Sequence, residues 1–301
     1  MPDTTASINL VSLVDRYHSP EAARDLLEKL RWPDGVDCPR CQGRVISRIL
    51  KRDQFDCDSC RYQFSVTAGT IFHDSKLPLW KWFLATYIMT ESRKGVSANQ
   101  MKRMLGVSYK TAWYLCHRIR SAMGDASAEM LKGIVEADET YVGGKLRGRH
   151  NRKWTANKTM VLGAIQRGGN VRLRTGKVNN RKTLHAFVKS VVDDDAEAIY
   201  TDEWWGYKGI GDENTRHETV NHKEDEWVRG DVHTNSVESV WSLFKRSIIG
   251  SYHSLSEKHM DAYLDEMAWR FNNRHNEYLF RDTLIKLVNA ETLEYKELIA
   301  T

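Results

Sequence analysis

The spacing of apolar residues along the chain changes several times, and each change marks an element boundary. In "SPEAARDLLEKLRWP", Leu26, Leu27 and Leu30 recur at helical spacing behind a capping Ser19 and a first-turn Pro20, so residues 1–33 read as a small helical lead-in. The period is lost in residues 34–72, where short β-prone runs such as "RVISRIL" and "QFSVTAGT" take over. It returns over residues 77–124. There "LPLWKWFLATYIMT" is one amphipathic helix, and "SANQMKRMLGVSYKTAWYLCHRIRSAM" is two helices with Gly106 in a tight turn between them. Met101, Met104, Leu105 and Val107 face the core of that pair, as do Ala112, Leu115, Cys116 and Ile119. Over residues 132–250 short strands alternate with helices. The tail, residues 251–301, is helical, with Met260, Tyr263, Leu264, Met267 and Phe271 along one side. That stripe is expected to pack on the preceding α/β segment or on a partner subunit.

The order within residues 132–250 is three strands, a helix, a strand, a short helix, a strand and a helix. This is the order of a ribonuclease H-like α/β fold, a mixed sheet with flanking helices. In that fold the first strand is central and the fourth lies beside it.

The first strand, "GIVEADETYVGGK", carries three acids among its apolar residues: Glu136, Asp138 and Glu139. Strands avoid carboxylates, which desolvate poorly and repel one another. A bound cation would reverse that cost. Asp202 ends the fourth strand, "AIYT", so the topology predicts that it meets Asp138 although 63 residues separate them. Glu238, on the helix "TNSVESVWSLFKRSII", follows Asp202 with 35 residues between and reaches the same point. Three converging carboxylates suit two hard divalent cations, Mg2+ or Mn2+, about 3.5–4 Å apart. Glu136 and Glu139 are taken as flanking acids, one of them facing solvent.

Cysteines add a second centre. "CPRC" (Cys38, Cys41) and "CDSC" (Cys57, Cys60) are separated by 15 residues, the spacing of a four-sulfur zinc ribbon. Cys116 sits in a helical pattern and reads as a small core residue. Charge adds a partner. The net charge is only +5, but from Val142 to Ser190 there are 13 Lys or Arg and no Asp or Glu. This block, with Arg147, Arg149, Arg152 and Lys153 at its densest, is either a solvated surface or a phosphate-binding face. The helix pair has the helix-turn-helix pattern of DNA-binding domains. Ser108, Tyr109, Lys110 and Thr111 open its second helix, where base-reading residues sit, and Arg118 follows on that helix. No apolar run approaches the roughly 20 residues of a membrane span, and no secretory signal is visible. Trp204, Trp205 and Trp241 read first as packing between helix and sheet, with stacking on an unpaired base as the alternative for Trp204 and Trp205.

"CPRC…CDSC", "VEADETYVGGK", "YTDEWWGY" and "VHTNSVESVWSLFKRSIIGSYH", taken in order, resemble the DDE transposases of bacterial insertion sequences. The match is to the group with an N-terminal zinc ribbon, related to the eukaryotic Merlin transposons, and it covers residues 20–275 or so. The resemblance implies a bacterial, cytoplasmic and nucleoid-associated enzyme. It would bind terminal inverted repeats and target DNA as a dimer or larger assembly on paired ends, and transfer strands with Mg2+ or Mn2+. It implies Asp138 and Asp202 as metal ligands, Glu238 as the third acid and Lys245, seven residues on, as a DNA contact. Asn235, one turn before Glu238, is the alternative third ligand, because an amide oxygen can also bind the metal. Two other functions share these features: a non-catalytic or domesticated DNA-binding regulator, and a metal-dependent nuclease that cuts without joining.

Overall fold

The computed structural model describes residues 8–124, 128–143, 158–220 and 229–300. The chain divides into two compact units, Met1–Met123 with His275–Thr301, and Gly124–Arg274.

The first unit begins with α1 (Leu10–Tyr17) and α2 (Pro20–Arg31), capped by the side chains of Asn9 and Ser19. A three-stranded antiparallel sheet follows, β1 (Ile46–Ile49), β2 (Gln54–Cys57) and β3 (Gln63–Phe64). Its few apolar residues do not make a core alone. Phe55 and Phe64 pack on Trp32 at the end of α2, with ring centroids 5.4 and 6.0 Å away. Next come α3 (Leu79–Glu91), α4 (Ala98–Leu105) and α5 (Tyr109–Met123). Gly106 takes the left-handed conformation (φ 62°) that ends α4 and lets the chain turn sharply into α5. The tail is not one piece. α8 (Met260–Asn272) lies on the sheet of the second unit, whereas α9 (Leu279–Asn289) packs against α2, α3 and α5 of the first and is followed by α10 (Tyr295–Ile299).

α5 departs from the reading of its charges. His117, Arg118 and Arg120 are all buried, at 1%, 4% and 1% exposure. Arg118 donates to the His73 carbonyl (2.7 Å), and its guanidinium lies over the Trp82 and Tyr114 rings. It is a core strut and is withdrawn from the DNA-contacting set. A helix with three long polar side chains turned inward still has an apolar period, which is why the pattern misled. Met104 departs in the other direction and is exposed.

The second unit is a five-stranded sheet in the order β6-β5-β4-β7-β8. β4 (Ile134–Gly143) is central. It pairs antiparallel with β5 (Lys158–Gln166), which pairs antiparallel with β6 (Val171–Gly176). On its other edge β4 pairs in parallel with β7 (Ala198–Asp202), and β7 with β8 (Arg216–Val220). α6 (Arg181–Val191) covers one face, burying Leu184, Phe187, Val188 and Val191 against Val135, Ala137 and Ile199. α7 (Asn235–Ser247) and α8 cover the other, burying Val237, Val240, Trp241 and Phe244 with Val161 and Ile165. This is the ribonuclease H-like strand order. Its strand alternation sends even-numbered residues of β4 toward α7 and odd-numbered ones toward α6.

Candidate active site

The register of β4 and β7 places Glu136 opposite Tyr200. Carried two residues further, the same offset sets Asp202 across from Asp138, on the face that α7 covers. Two carboxylates on adjacent strands repel. Burial, followed by the charges of Glu139 and Asp202, pushes the Asp138 carboxyl up to about 7. Two contacts oppose the rise, the Trp241 indole first and then the Glu139 backbone N–H. The indole Nε1 of Trp241 donates to Asp138 Oδ2 at 2.8 Å. On the other side, Asp202 Oδ1 accepts from the Trp204 backbone N–H at 3.0 Å.

Trp241 reaches Asp138 because of a glycine. Gly163 is the β5 partner of Asp138. A Cβ built there would stand 2.5 Å from Trp241 Cη2 and 2.7 Å from Cζ2. Gly163→Ala is therefore expected to force the indole off Asp138 and cost about 1–3 kcal/mol, as overpacked cores do. Denaturant unfolding measures this; unchanged stability would mean that the ring has room to move. A glycine in the apolar run "MVLGAIQ" was the available sequence signal for such a close approach.

Neither flanking acid faces solvent. Glu136 is fully buried and bonded to the start of α7 and to Arg167. Glu139 points the opposite way, toward α6. It accepts from Tyr207 Oη (2.8 Å) and Asn179 Nδ2 (2.8 Å). Burial raises its pKa, and these two hydrogen bonds hold the rise back. Asn179 in turn accepts from Trp204 Nε1 at 3.0 Å. The sequence reading missed Asn179 and Arg167, which sit far from the acids in sequence and carry no motif, and Tyr207, which closes the "YTDEWWGY" block without any local sign that it reaches Glu139.

Glu238 is on the first turn of α7, exposed, and its Oε1 accepts from the Thr234 hydroxyl at 3.3 Å. It is one turn before Trp241. Asn235 is also exposed, a further turn back. Lys245 is exposed toward the end of the same helix. Among the described residues, only the four cysteines form a group of three or more metal-ligating side chains whose ligand atoms lie within 4.8 Å of one another. Asp138 and Asp202 are thus neighbours, but Glu238 is not drawn into a tight cluster with them. Trp204 and Trp205 are exposed (39% and 58%), so the packing reading holds for Trp241 alone.

The cysteines form the second centre. Cys38 Sγ lies 3.6 Å from Cys60 Sγ, and Cys41 Sγ lies 3.5 Å from Cys57 Sγ. Sulfurs around one tetrahedral zinc at 2.3 Å stand about 3.8 Å apart, so the set fits that ion. The two CxxC turns repeat each other. Gln42 N–H donates to Cys38 O and Arg61 N–H to Cys57 O, and Gln42 and Arg61 both have positive φ. Cys38 N–H donates to Gly43 O and Cys57 N–H to Tyr62 O, closing each loop in the same way.

Of the residues expected to meet DNA, Ser108, Tyr109, Lys110 and Thr111 are exposed at the start of α5. The Ser108 hydroxyl accepts from Thr111 N–H and caps the helix, and Lys110 Nζ lies 4.3 Å from the Tyr295 ring centroid. Arg147, Arg149, Arg152 and Lys153 lie outside the described residues. Among the described residues no helix is long and apolar enough to cross a membrane.

Two stretches of the chain match known transposase domains. The profile of the ISXO2-like transposase domain matches residues 130–272, and that of the transposase zinc-ribbon domain matches residues 18–63. An uncharacterized protein in transposable element ISH50 of Halobacterium salinarum is 29% identical over 270 residues, 83% of this chain and 90% of that protein. That organism is a halophilic archaeon, so the relatives are not confined to bacteria. Solved structures match more remotely. The Mos1 strand transfer complex is 12% identical over 68% of this chain and 74% of that one, with a TM-score of 0.28. The simian T-cell lymphotropic virus intasome is 13% identical over 60% of this chain and 66% of that one, just under two thirds, with a TM-score of 0.29. A ribbon of four cysteines, a ribonuclease H-like sheet with paired aspartates, and these two profile matches covering more than half of the chain together show that it belongs to the zinc-ribbon, ISXO2-like family of insertion-sequence DNA transposases.

Proposed function

We propose that Asp138, Asp202 and Glu238 are the catalytic acids of this transposase, holding two Mg2+ or Mn2+ ions for cleavage and strand transfer at the element's terminal inverted repeats. The observation that carries this is the closeness of Asp138 and Asp202, whose charge helps to raise the Asp138 carboxyl, on two strands that pair in parallel just before them. All donors are hard oxygens, which suits these ions. When bound, the ions supply an activated hydroxyl or water and stabilise the leaving oxygen of an in-line displacement at phosphorus.

The chain's own contribution is positioning. Trp241 fixes one oxygen of Asp138 and so orients the carboxylate. The turn after β7 orients Asp202 through the Trp204 amide. Glu238 is favoured over Asn235 by helix geometry. At about 100° per residue Glu238 lies some 60° around the helix from Trp241, whereas Asn235 lies some 120° away. Lys245 falls within about 20° of Glu238, two turns along, where a phosphate following the site would run. Tyr109, Lys110 and Thr111, with the basic segment that includes Arg147, Arg149, Arg152 and Lys153, are proposed as DNA contacts. Paired ends call for a dimer or larger assembly, and bacterial members would work on the nucleoid.

The test is strand transfer by purified protein with Mg2+ and a labelled duplex carrying the terminal repeat. Wild type gives joined products, Glu238→Gln loses them by roughly a hundredfold or more, at the upper end of what even an outer-shell change costs, and Asn235→Ala stays within a few-fold. The reverse ranking would move the third ligand to Asn235. Binding without cutting or joining would favour a regulator, and cutting without joining a nuclease.

A further inference from the structure

Glu136 stands two residues before Asp138 on the same face of β4. It is fully buried. Its Oε2 accepts from the backbone N–H groups of Ser236 (2.7 Å) and Val237 (3.1 Å), and its Oε1 from the Ser236 hydroxyl (2.9 Å) and Arg167 Nε (2.8 Å). His233 Nδ1 stands 3.3 Å from the same Oε1. A carboxylate has about four lone-pair sites. Here they are used, so Glu136 has nothing left for a cation, whereas Asp138 has one side-chain donor, Trp241.

The two amides are first-turn donors that α7 cannot satisfy itself. The helix's own N-cap residue, Thr234, makes no capping bond; its hydroxyl goes to Glu238. The cap of α7 is thus supplied by the central strand, and a negative charge there also suits the helix dipole. Arg167 extends the anchor. Its other nitrogens donate to the carbonyls of Asp231 (2.7 Å) and His233 (3.1 Å), just before α7, and its guanidinium lies 4.8 Å from the Tyr200 ring centroid on β7.

We propose that Glu136, with Arg167, is a positioning residue for the metal site. It pins the first turn of α7 to the strand that carries Asp138, so that Glu238, two residues after Ser236, is set relative to Asp138 before any cation arrives. Pre-set ligands bind more tightly because less order has to be imposed on binding. The inference rests on Glu238 being the third acid.

The experiment measures binding of Mn2+ alone to the full-length, zinc-loaded protein, by loss of the free-ion electron paramagnetic resonance signal. Glu136→Gln keeps the side chain's size but replaces an acceptor with a donor; its Mn2+ midpoint is expected to rise on the order of tenfold, the cost of disturbing an outer ligand shell. Ser236→Ala removes one hydroxyl donor and is expected to move it a few-fold in the same direction. Glu266→Gln is the control: that acid is equally buried, bonded to Arg270 and Tyr252. It is expected to lower Tm without moving the midpoint. A wild-type midpoint in folded Glu136→Gln, with binding abolished in Asp138→Ala, overturns the positioning role alone. Binding that survives Asp138→Ala overturns the site reading and this inference with it.

Discussion

Asp138→Asn is expected to lose strand transfer by at least about a thousandfold, beyond the 10–100-fold of an outer-shell change, and to melt several degrees above wild type in metal-free buffer. The amide keeps an oxygen for Trp241 Nε1 and removes only the charge. The sign of the stability change follows from linkage. The folded protein holds this carboxyl at about 7 against an ordinary 3.8. Below pH 3.8 the group is protonated in both states and costs nothing. As pH rises toward 7 the unfolded chain ionises first, so folding loses stability, and the full penalty is present above pH 7. At about 1.36 kcal/mol per pH unit that penalty is at most about 4 kcal/mol. Asparagine escapes it. Mg2+ should then raise the Tm of wild type and leave the variant nearly unmoved, because only the former gains a ligand. A dead variant no more stable than wild type would mean the carboxylate is not strained. A stable variant with full activity would mean it is not a ligand. The two readouts together separate a site that trades stability for chemistry from a chance pair of acids.

The pairing of Asp138 with Asp202 was legible because topology and strand parity are both sequence properties: an acid in a β run, and another closing the strand that the fold places next to it. The ribbon was legible for the same reason, since ligand spacing and metal geometry constrain each other. The role of Glu136 lay just out of reach. Its parity matches that of Asp138, which put it on the α7 face, but nothing local says that a carboxylate will cap a helix 100 residues away. Arg118 shows the limit of charge counting: exposure is decided by what packs on a helix, and three aromatic and carbonyl partners took it inward. The return of α9 to the first unit was not legible either, because an apolar stripe specifies burial and not the partner.

Removing zinc, by chelation or by Cys57→Ser, is expected to unfold residues 36–64 while the sheet of the Gly124–Arg274 unit stays folded. The ribbon's apolar stock is small: Phe55 and Phe64, packed on Trp32, contribute about 1.5–3 kcal/mol each at best. Two of its buried residues, Cys38 and Cys57, belong to the four-sulfur cluster itself. Structural zinc in small modules is worth about 10–16 kcal/mol at neutral pH, more than those contacts together. The two CxxC turns also hold left-handed residues, Gln42 and Arg61, which lack a reason to stay so once the sulfurs part. Hydrogen exchange reads the outcome segment by segment. Amides of β1 and β2 should exchange orders of magnitude faster after chelation, those of β4 and β5 should not change, and Cys116→Ser, in the interior of α5, should leave zinc content at one per chain. A ribbon still protected without metal would mean that its packing on α2, through the Arg48–Glu28 pair and the Arg31–Val66 bond, is enough to fold it. Loss of protection in β4 as well would mean that the transposase sheet depends on the ribbon, and that the two units fold as one.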